Sequence, residues 1–177
     1  MCPMMRRPPG MEMALLGFLW ESPQHGYQLH RQVSDPMGLG AIWNLKQSQL
    51  YALLAKLEKD GLVEGKLEFQ EDARPPRRIY RLTRNGRAAY QTWLKKPVHM
   101  PRFMRQEFMA KYYFASQEGK DKAAELIRAQ KTICLKWLER LKFPDKKLSI
   151  FNQNIYRYRS GQIQATLSWL VSLQDED

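Results

Sequence analysis

The sequence predicts a mainly α protein with one small β-hairpin wing, and three observations carry that expectation. Apolar residues recur at helical spacing through residues 11–60, the period changes to two over residues 62–82, and helical spacing then returns and continues to residue 173. The chain has 177 residues, enough for one domain or two small ones around a buried core. Its 44% hydrophobic and 11% aromatic content excludes wholesale disorder.

Each element has its own signal. Met11 to Trp20 reads as a short apolar helix, and Gln24 to Val33 as a second with Tyr27, Leu29 and Val33 inward, stopped by Ser34-Asp35-Pro36 and Gly38. Leu50, Leu53, Leu54 and Leu57 recur at i, i+3, i+4, i+7, so Gln47 to Asp60 is a third helix, capped by Ser48 or Asn44 and ended by Gly61. Val63, Gly65, Leu67 and Phe69 alternate with charged or polar neighbours, the pattern of a half-buried strand. Ile79, Tyr80 and Leu82 supply the returning strand, and Pro75-Pro76 lie at the tip between the two. Thr83 is placed to cap a fourth helix, Arg84 to Lys96, with Ala88, Ala89, Trp93 and Leu94 inward. After Pro97 and Pro101 come three more helical stretches, Phe103 to Ala115, Asp121 to Leu141 and Ile150 to Leu173, with Lys142 to Lys147 as the break between the last two.

The charge balance points to a partner class. Lys and Arg number 29 against 18 Asp and Glu, a formal +11, which suits a polyanion. The basicity is spread, with net +6 over residues 1–100 and +5 over 101–177. Ser160 to Gln174 is the longest stretch without a formal charge, and polar residues interrupt it, so no segment approaches the ~20 apolar residues that span a bilayer. The chain reads as cytoplasmic. Cys2 and Cys134 give neither a disulfide framework nor metal-ligand spacing, and Cys134 reads as a small buried hydrophobe. The His pair at 25 and 30 lacks the i, i+4 spacing of helical metal ligands, so neither metal nor cofactor is expected.

Three helices, a hairpin and a linker helix in that order describe a winged helix-turn-helix. Leu15-Leu16-Gly17, His25-Gly26-Tyr27-Gln28-Leu29, Ser48-Gln49-Leu50-Tyr51, Leu57-Glu58-Lys59-Asp60-Gly61-Leu62-Val63 and Arg77-Arg78-Ile79-Tyr80-Arg81-Leu82-Thr83 together resemble the DNA-binding domain of the PadR family of bacterial transcriptional regulators. The resemblance implies a DNA-binding domain over 11–97, whereas residues 1–10, with Arg6-Arg7, depart from the family pattern and read as a flexible arm, either a tail or a minor-groove contact. It also implies a helical, coiled-coil-like dimerisation and effector domain over 98–177, as in the longer-tailed members of the family.

On this reading the third helix enters the major groove, where short polar residues at its N-terminal end reach base edges and phosphates. Lys46, Gln47, Ser48, Gln49 and Tyr51 fit, with Gln able to pair bidentately with adenine and the Tyr51 hydroxyl placed for a phosphate. Arg74, Arg77 and Arg78 make a proline-stiffened basic wing tip for a minor groove or for phosphate. Tyr27 is either a phosphate contact at the start of the second helix or a core support for the third, and Gly26 serves close backbone approach. Lys56 and Lys59 read as solvated or paired with Glu58 and Asp60.

The last helices are apolar over too much of their circumference to satisfy one another, so part of the face is expected in a homodimer interface. The residues are Ile127, Cys134, Leu138 and Leu141 on one helix and Ile155, Tyr158, Gln162, Ala165, Trp169 and Leu173 on the other. Phe103, Met104, Phe108 and Tyr112 belong to an aromatic and thioether patch that reads first as core or interface and second as the lining of an aromatic-effector pocket. Phenolic acids and drug-like aromatics are effectors in parts of the family. No paired carboxylates, nucleophile with base, phosphate loop or metal cluster is recognisable, so no enzyme is expected. The resemblance implies a dimeric regulator on an imperfect palindrome, most often a repressor. The alternatives are an RNA- or protein-binding winged-helix module and a nucleic-acid-processing enzyme.

Overall fold

In the computed structural model the described residues are 10–69, 76–141 and 149–175. In chain order they form α1 (Gly10–Phe18), β1 (Gln24–His25), α2 (Gly26–Val33), α3 (Gln47–Lys59), β2 (Val63–Glu68), β3 (Arg77–Leu82), α4 (Arg84–Lys95), α5 (Met109–Glu118), α6 (Lys120–Arg140) and α7 (Ile150–Asp175). Short 3-10 turns lie at Leu39–Ala41 and Pro101–Phe103, and a π turn at Met104–Phe108 leads into α5. The expected arm falls on residues outside the described ones apart from Gly10, and so does Arg74.

The helical spacing of α1 to α3 buries what it should. Leu15, Leu16, Leu19, Leu29, Leu50, Leu54 and Leu57 are all essentially inaccessible, each contributing about 2 kcal/mol by leaving water. His30 Nε2 donates to the Leu45 carbonyl at 2.9 Å, fixing the segment before α3 against α2. Lys56 pairs with Glu12 at 2.7 Å and so ties α3 to α1, rather than pairing within its own helix. The first turn of α3 is capped by neither Ser48 nor Asn44. Gln49 folds back instead, its Oε1 accepting from the Lys46 N–H at 3.0 Å. Gln28 makes the same bond to the His25 N–H at 2.9 Å, and this cap starts α2 at Gly26, two residues later than periodicity suggested.

Gln24 and His25 are therefore strand, and the sheet has three strands in the order β1-β3-β2, all antiparallel. Gln24 faces Tyr80 and His25 faces Ile79. Alternation along β2 buries only its first residues, because the hairpin runs outward past the helices. Leu67 is 60% and Phe69 78% exposed, against the half-buried strand expected over its whole length. Thr83 caps α4 as expected, its Oγ1 accepting from the Gly86 N–H at 3.0 Å while donating to the Gly61 carbonyl at 2.7 Å. Ala88 is exposed, and Tyr90, about 200° further round the helix, is buried.

Phe103 to Ala115 is not one regular helix, since the 3-10 turn and the π turn occupy its first half. The π turn turns Glu107 inward, where Oε1 accepts from Trp93 Nε1 at 3.1 Å and lies 3.2 Å from the buried Lys111 ammonium. Burial holds the Lys111 ammonium below its ordinary pKa, opposed by Glu107. The segment after α4 is held by three side chains. Lys111 donates to the Lys96 carbonyl at 2.6 Å, and Trp137 Nε1 to the His99 carbonyl at 3.0 Å. The wholly buried Gln130 accepts from the Val98 N–H at 2.8 Å and donates to its carbonyl at 3.1 Å. The apolar core runs on through α5, α6 and α7, and Phe114 of α5 lies flat against Gly17 of α1.

Candidate nucleic-acid interface

Gln47, Ser48 and Gln49 form the first turn of α3, all exposed, with Lys46 exposed just before them. Leu50 behind them is buried, so this turn is anchored on one side and open on the other. Gln49 spends its oxygen on the cap, which leaves its amide N–H groups for an external acceptor.

Tyr51 reaches from α3 across the start of α2. A Cβ on Gly26 would meet Tyr51 Cε1 at 2.5 Å and its hydroxyl oxygen at 2.9 Å, so only glycine lets the ring pass. The Tyr51 hydroxyl thus lies beside the N-terminus of α2, whose backbone N–H groups favour an anion. Tyr27 is 65% exposed on the same end of α2. It is not the inward residue periodicity suggested, and the core role for it is set aside. Sequence reasoning had named both tyrosines, but only the fold brings them to one helix end.

The wing arginines divide. Arg78 donates twice to Glu58 of α3, at 2.6 and 2.8 Å, and Glu58 also accepts from the Gly65 N–H at 3.1 Å. Its guanidinium lies 5.8 Å from the centroid of Tyr80. Arg78 therefore clamps the wing to α3. Arg77, one residue nearer the tip and opposite Glu68, is exposed. Glu68 in turn lies 3.3 Å from His25 Nε2, joining the outer end of β2 to β1. A cross-strand pair, Arg81 with Glu64, stiffens the middle of the wing, and its hydrogen bond holds the Glu64 carboxyl below its ordinary pKa. The surface offered is a helix end, a tyrosine pair at a second helix end and a wing carrying Arg77.

Residues 15–92, which contain all of these groups, match the model of the transcriptional regulator PadR-like family. These residues, somewhat under half of the chain, are similar to the PadR-like family. The negative transcriptional regulator PadR of Bacillus subtilis is 29% identical over 120 residues, 68% of this chain and 64% of that protein. A probable transcriptional regulator of Mycobacterium tuberculosis, Rv1176c, is 28% identical over 85 residues, 48% of this chain and 43% of that protein. The matched segments thus span less than two thirds of either relative. The crystal structure of Bacillus subtilis PadR in complex with operator DNA aligns with 95% of this chain and 97% of its own at a TM-score of 0.50 and 23% identity, a likeness of fold.

The helices after residue 97 redistribute the residues assigned to an interface. Ile127 is 2% exposed and Cys134 wholly buried inside the protomer, so neither has surface left for a second copy. Burial holds the Cys134 thiol above its ordinary pKa, as for a small core hydrophobe. Leu138, Leu141, Ile155, Trp169 and Leu173 are half-buried, while Tyr158, Gln162 and Ala165 are exposed. The stripe of α7 that the chain itself covers lies one step round the helix, at Tyr156, Ser160, Ile163, Leu167, Leu170 and Gln174. Of the α7 stripe read from the sequence, Tyr158, Gln162 and Ala165 are uncovered, while Trp169 and Leu173 pack against the chain's own core.

The aromatic patch is packing. Phe108 is wholly buried, Met104 is 8% exposed, and Phe103 and Tyr112 are half-buried. Trp169 of α7 meets Phe108 and Tyr112 edge-on at 5.9 and 6.3 Å. A cleft of about 430 Å³ lies elsewhere, between α1, α2, α4 and α5, and none of those four residues lines it. Its walls come from these four helices, from Gln24 of β1 and from the turns between them, which no periodicity brings together. Among the described residues no group of three or more His, Cys, Asp or Glu is placed to hold a metal ion, and no helix is long and apolar enough to cross a membrane.

Proposed function

We propose that this PadR-like chain is a homodimeric, sequence-specific DNA-binding transcriptional regulator, a repressor released by a small molecule, acting in the cytoplasm and carrying no enzymatic activity. The observation that carries the reading is the open first turn of α3 beside the Tyr51–Gly26 crossing, with Arg77 on the adjoining wing. Gln47, Ser48 and Gln49 read base edges, Tyr51 and Tyr27 hold a phosphate at the start of α2, and Arg77 grips the flanking backbone. Lys46 adds positive charge at the groove.

Residues 11–97 serve as the reading module and residues 98–177 as the dimerisation and effector module. The dimer uses the uncovered side of α7, where Phe151 and Tyr158 are 72% and 64% exposed, together with Leu138, Leu141, Ile155, Gln162, Trp169 and Leu173. Two such protomers about a two-fold axis suit an imperfect palindrome.

The test is fluorescence anisotropy on a labelled duplex from the region upstream of the chain's own coding sequence, against a scrambled duplex, over a salt series. Saturation at one dimer per site with a preference of about 10³ or more is expected. Equal affinity for both duplexes, or tighter binding to structured RNA, would refute the reading.

A further inference from the structure

Given the DNA-binding reading above, on which this rests, we propose that Leu67 and Phe69 form an apolar wedge. It enters the minor groove flanking the bases read by α3 and parts a base step there.

The two faces of the wing follow from its register. Val63, Gly65 and Leu67 of β2 share a face with Leu82, Tyr80 and Arg78 of β3, and Phe69 continues it at the strand's two-residue period. Near the helices this face is core, with Val63 and Leu82 buried, but its outer end carries Leu67 and Phe69 at 60% and 78% exposure. Arg78, the one cation of this face among the described wing residues, is bound to Glu58. Its side chain lies across Gly65, where a Cβ would strike the guanidinium. The other face carries the exposed Lys66 and Arg77, with Glu64 paired to Arg81 and Glu68 to His25. The hairpin is thus apolar on one side and charged on the other.

Two facts choose the occupant. Two side chains cannot cover the ~1,000 Å² that a stable protein interface buries. The wedge is also continuous with the reading surface, because Arg78 and Glu58 fasten this face of the wing to α3. With α3 in a major groove, a wing fastened beside it meets the adjoining minor groove. That groove offers phosphates along its rims for Lys66 and Arg77, and sugar edges and base faces within it for apolar side chains. The Arg78 clamp, the Arg81–Glu64 pair and the His25–Glu68 contact hold the hairpin in place, so little order is lost on insertion. Parting a step is easiest where stacking is weak, as at pyrimidine–purine steps, so the wedge adds sequence preference at a position where no base is hydrogen-bonded.

The test uses the full chain and the upstream duplex with 2-aminopurine, whose fluorescence rises on unstacking, at successive adenine positions of the flanks. The parent chain should give a rise at one flanking position per half-site, and Leu67→Ser with Phe69→Ser should give none. By anisotropy this double variant should bind about tenfold more weakly at an unchanged log–log salt slope, because no phosphate contact is lost, whereas Arg77→Ala lowers that slope. Phe69→Leu alone should keep most of the parental affinity. Both residues are exposed, so the thermal transition should stay in place, and if the double variant does not fold, the fluorescence of the parent complex decides. Unchanged affinity in the folded double variant, a shallower salt slope in it, or no rise at any flanking position in the parent complex would each overturn the wedge. A changed oligomeric state with DNA binding intact would overturn it too and give this face to a protein partner. Specific binding without unstacking removes the wedge and leaves the regulator reading, whereas equal affinity of the parent chain for the scrambled duplex removes both.

Discussion

Replacing Gly26 with alanine is expected to cost DNA affinity while leaving the fold nearly as stable. The added Cβ would lie 2.5 Å from Tyr51 Cε1 and 2.9 Å from both Cζ and the hydroxyl oxygen, so the methyl and the ring cannot occupy their places together. The backbone offers no resistance: Gly26 opens α2, and the only glycines at positive φ among the described residues are Gly61 and Gly119. Alanine is the better helix former by up to about 1 kcal/mol. Tyr51 is 40% exposed, so its ring can swing outward, losing contacts worth about 1 kcal/mol. These terms oppose each other, and the net change in stability should stay within about 1 kcal/mol. What is lost is the hydroxyl's place at the start of α2. One displaced phosphate contact corresponds to about tenfold in affinity and a log–log salt slope shallower by about one. Anisotropy over a salt series reads the binding, and urea unfolding reads the stability. Tyr51→Ala removes the ring that the new methyl strikes, so the double variant should bind like Tyr51→Ala alone. Parental affinity in Gly26→Ala, or simple additivity in the double variant, would refute the crossing as a DNA-contacting device.

The two wing arginines should separate by assay. Arg77→Ala is expected to weaken binding to all duplexes alike and lower the salt slope by about one with stability unchanged, whereas Arg78→Ala should cost about 1 kcal/mol in urea unfolding through loss of the Glu58 clamp. Glu107→Ala leaves the buried Lys111 ammonium and the Trp93 N–H without their shared acceptor, and a loss of about 3 kcal/mol is expected by chemical denaturation. A loss below about 1 kcal/mol would mean that water replaces the carboxylate. Burial and then the neighbouring Glu118 carboxylate push the Tyr90 phenol above its ordinary range. Above pH 10, the ordinary phenol value, the unfolded chain releases this proton while the folded chain keeps it, so stability falls as pH rises. Tyr90→Phe should flatten that fall between about pH 9 and 11, although Lys111, held down by burial, works in the opposite sense in the same window. An unchanged slope would show that Tyr90 is not the group responsible.

Much of the interface was legible because it depends on local order. Leu50, Leu54 and Leu57 mark the buried side of α3 by spacing alone, and the same spacing leaves Gln47, Ser48 and Gln49 outward. The pairing of Arg78 with Glu58 was not legible, for a physical reason. The arginine's charge is visible in the sequence, but Glu58 lies 20 residues away, and only the antiparallel register of β2 and β3 brings the two together. Tyr27 was misplaced because it lies two residues from Leu29, about 200° of helical rotation, so the two cannot face inward together, and Leu29 is the buried one. On α7, two neighbouring stripes have nearly the same composition, so periodicity could not say which one the chain covers itself.

What the sequence by itself determined was the order of elements, the anchored face of each early helix, the overall positive charge and the motifs that place residues 15–92 among PadR-like regulators. Those features follow from backbone periodicity and caps within a few residues of one another. The tertiary structure alone decided the third strand, the clamp on Arg78, the burial of Ile127 and Cys134 and the cleft between α1, α2, α4 and α5. Each of these joins residues distant in the chain, and only the packing of one element on another sets which side chains meet and which stay uncovered.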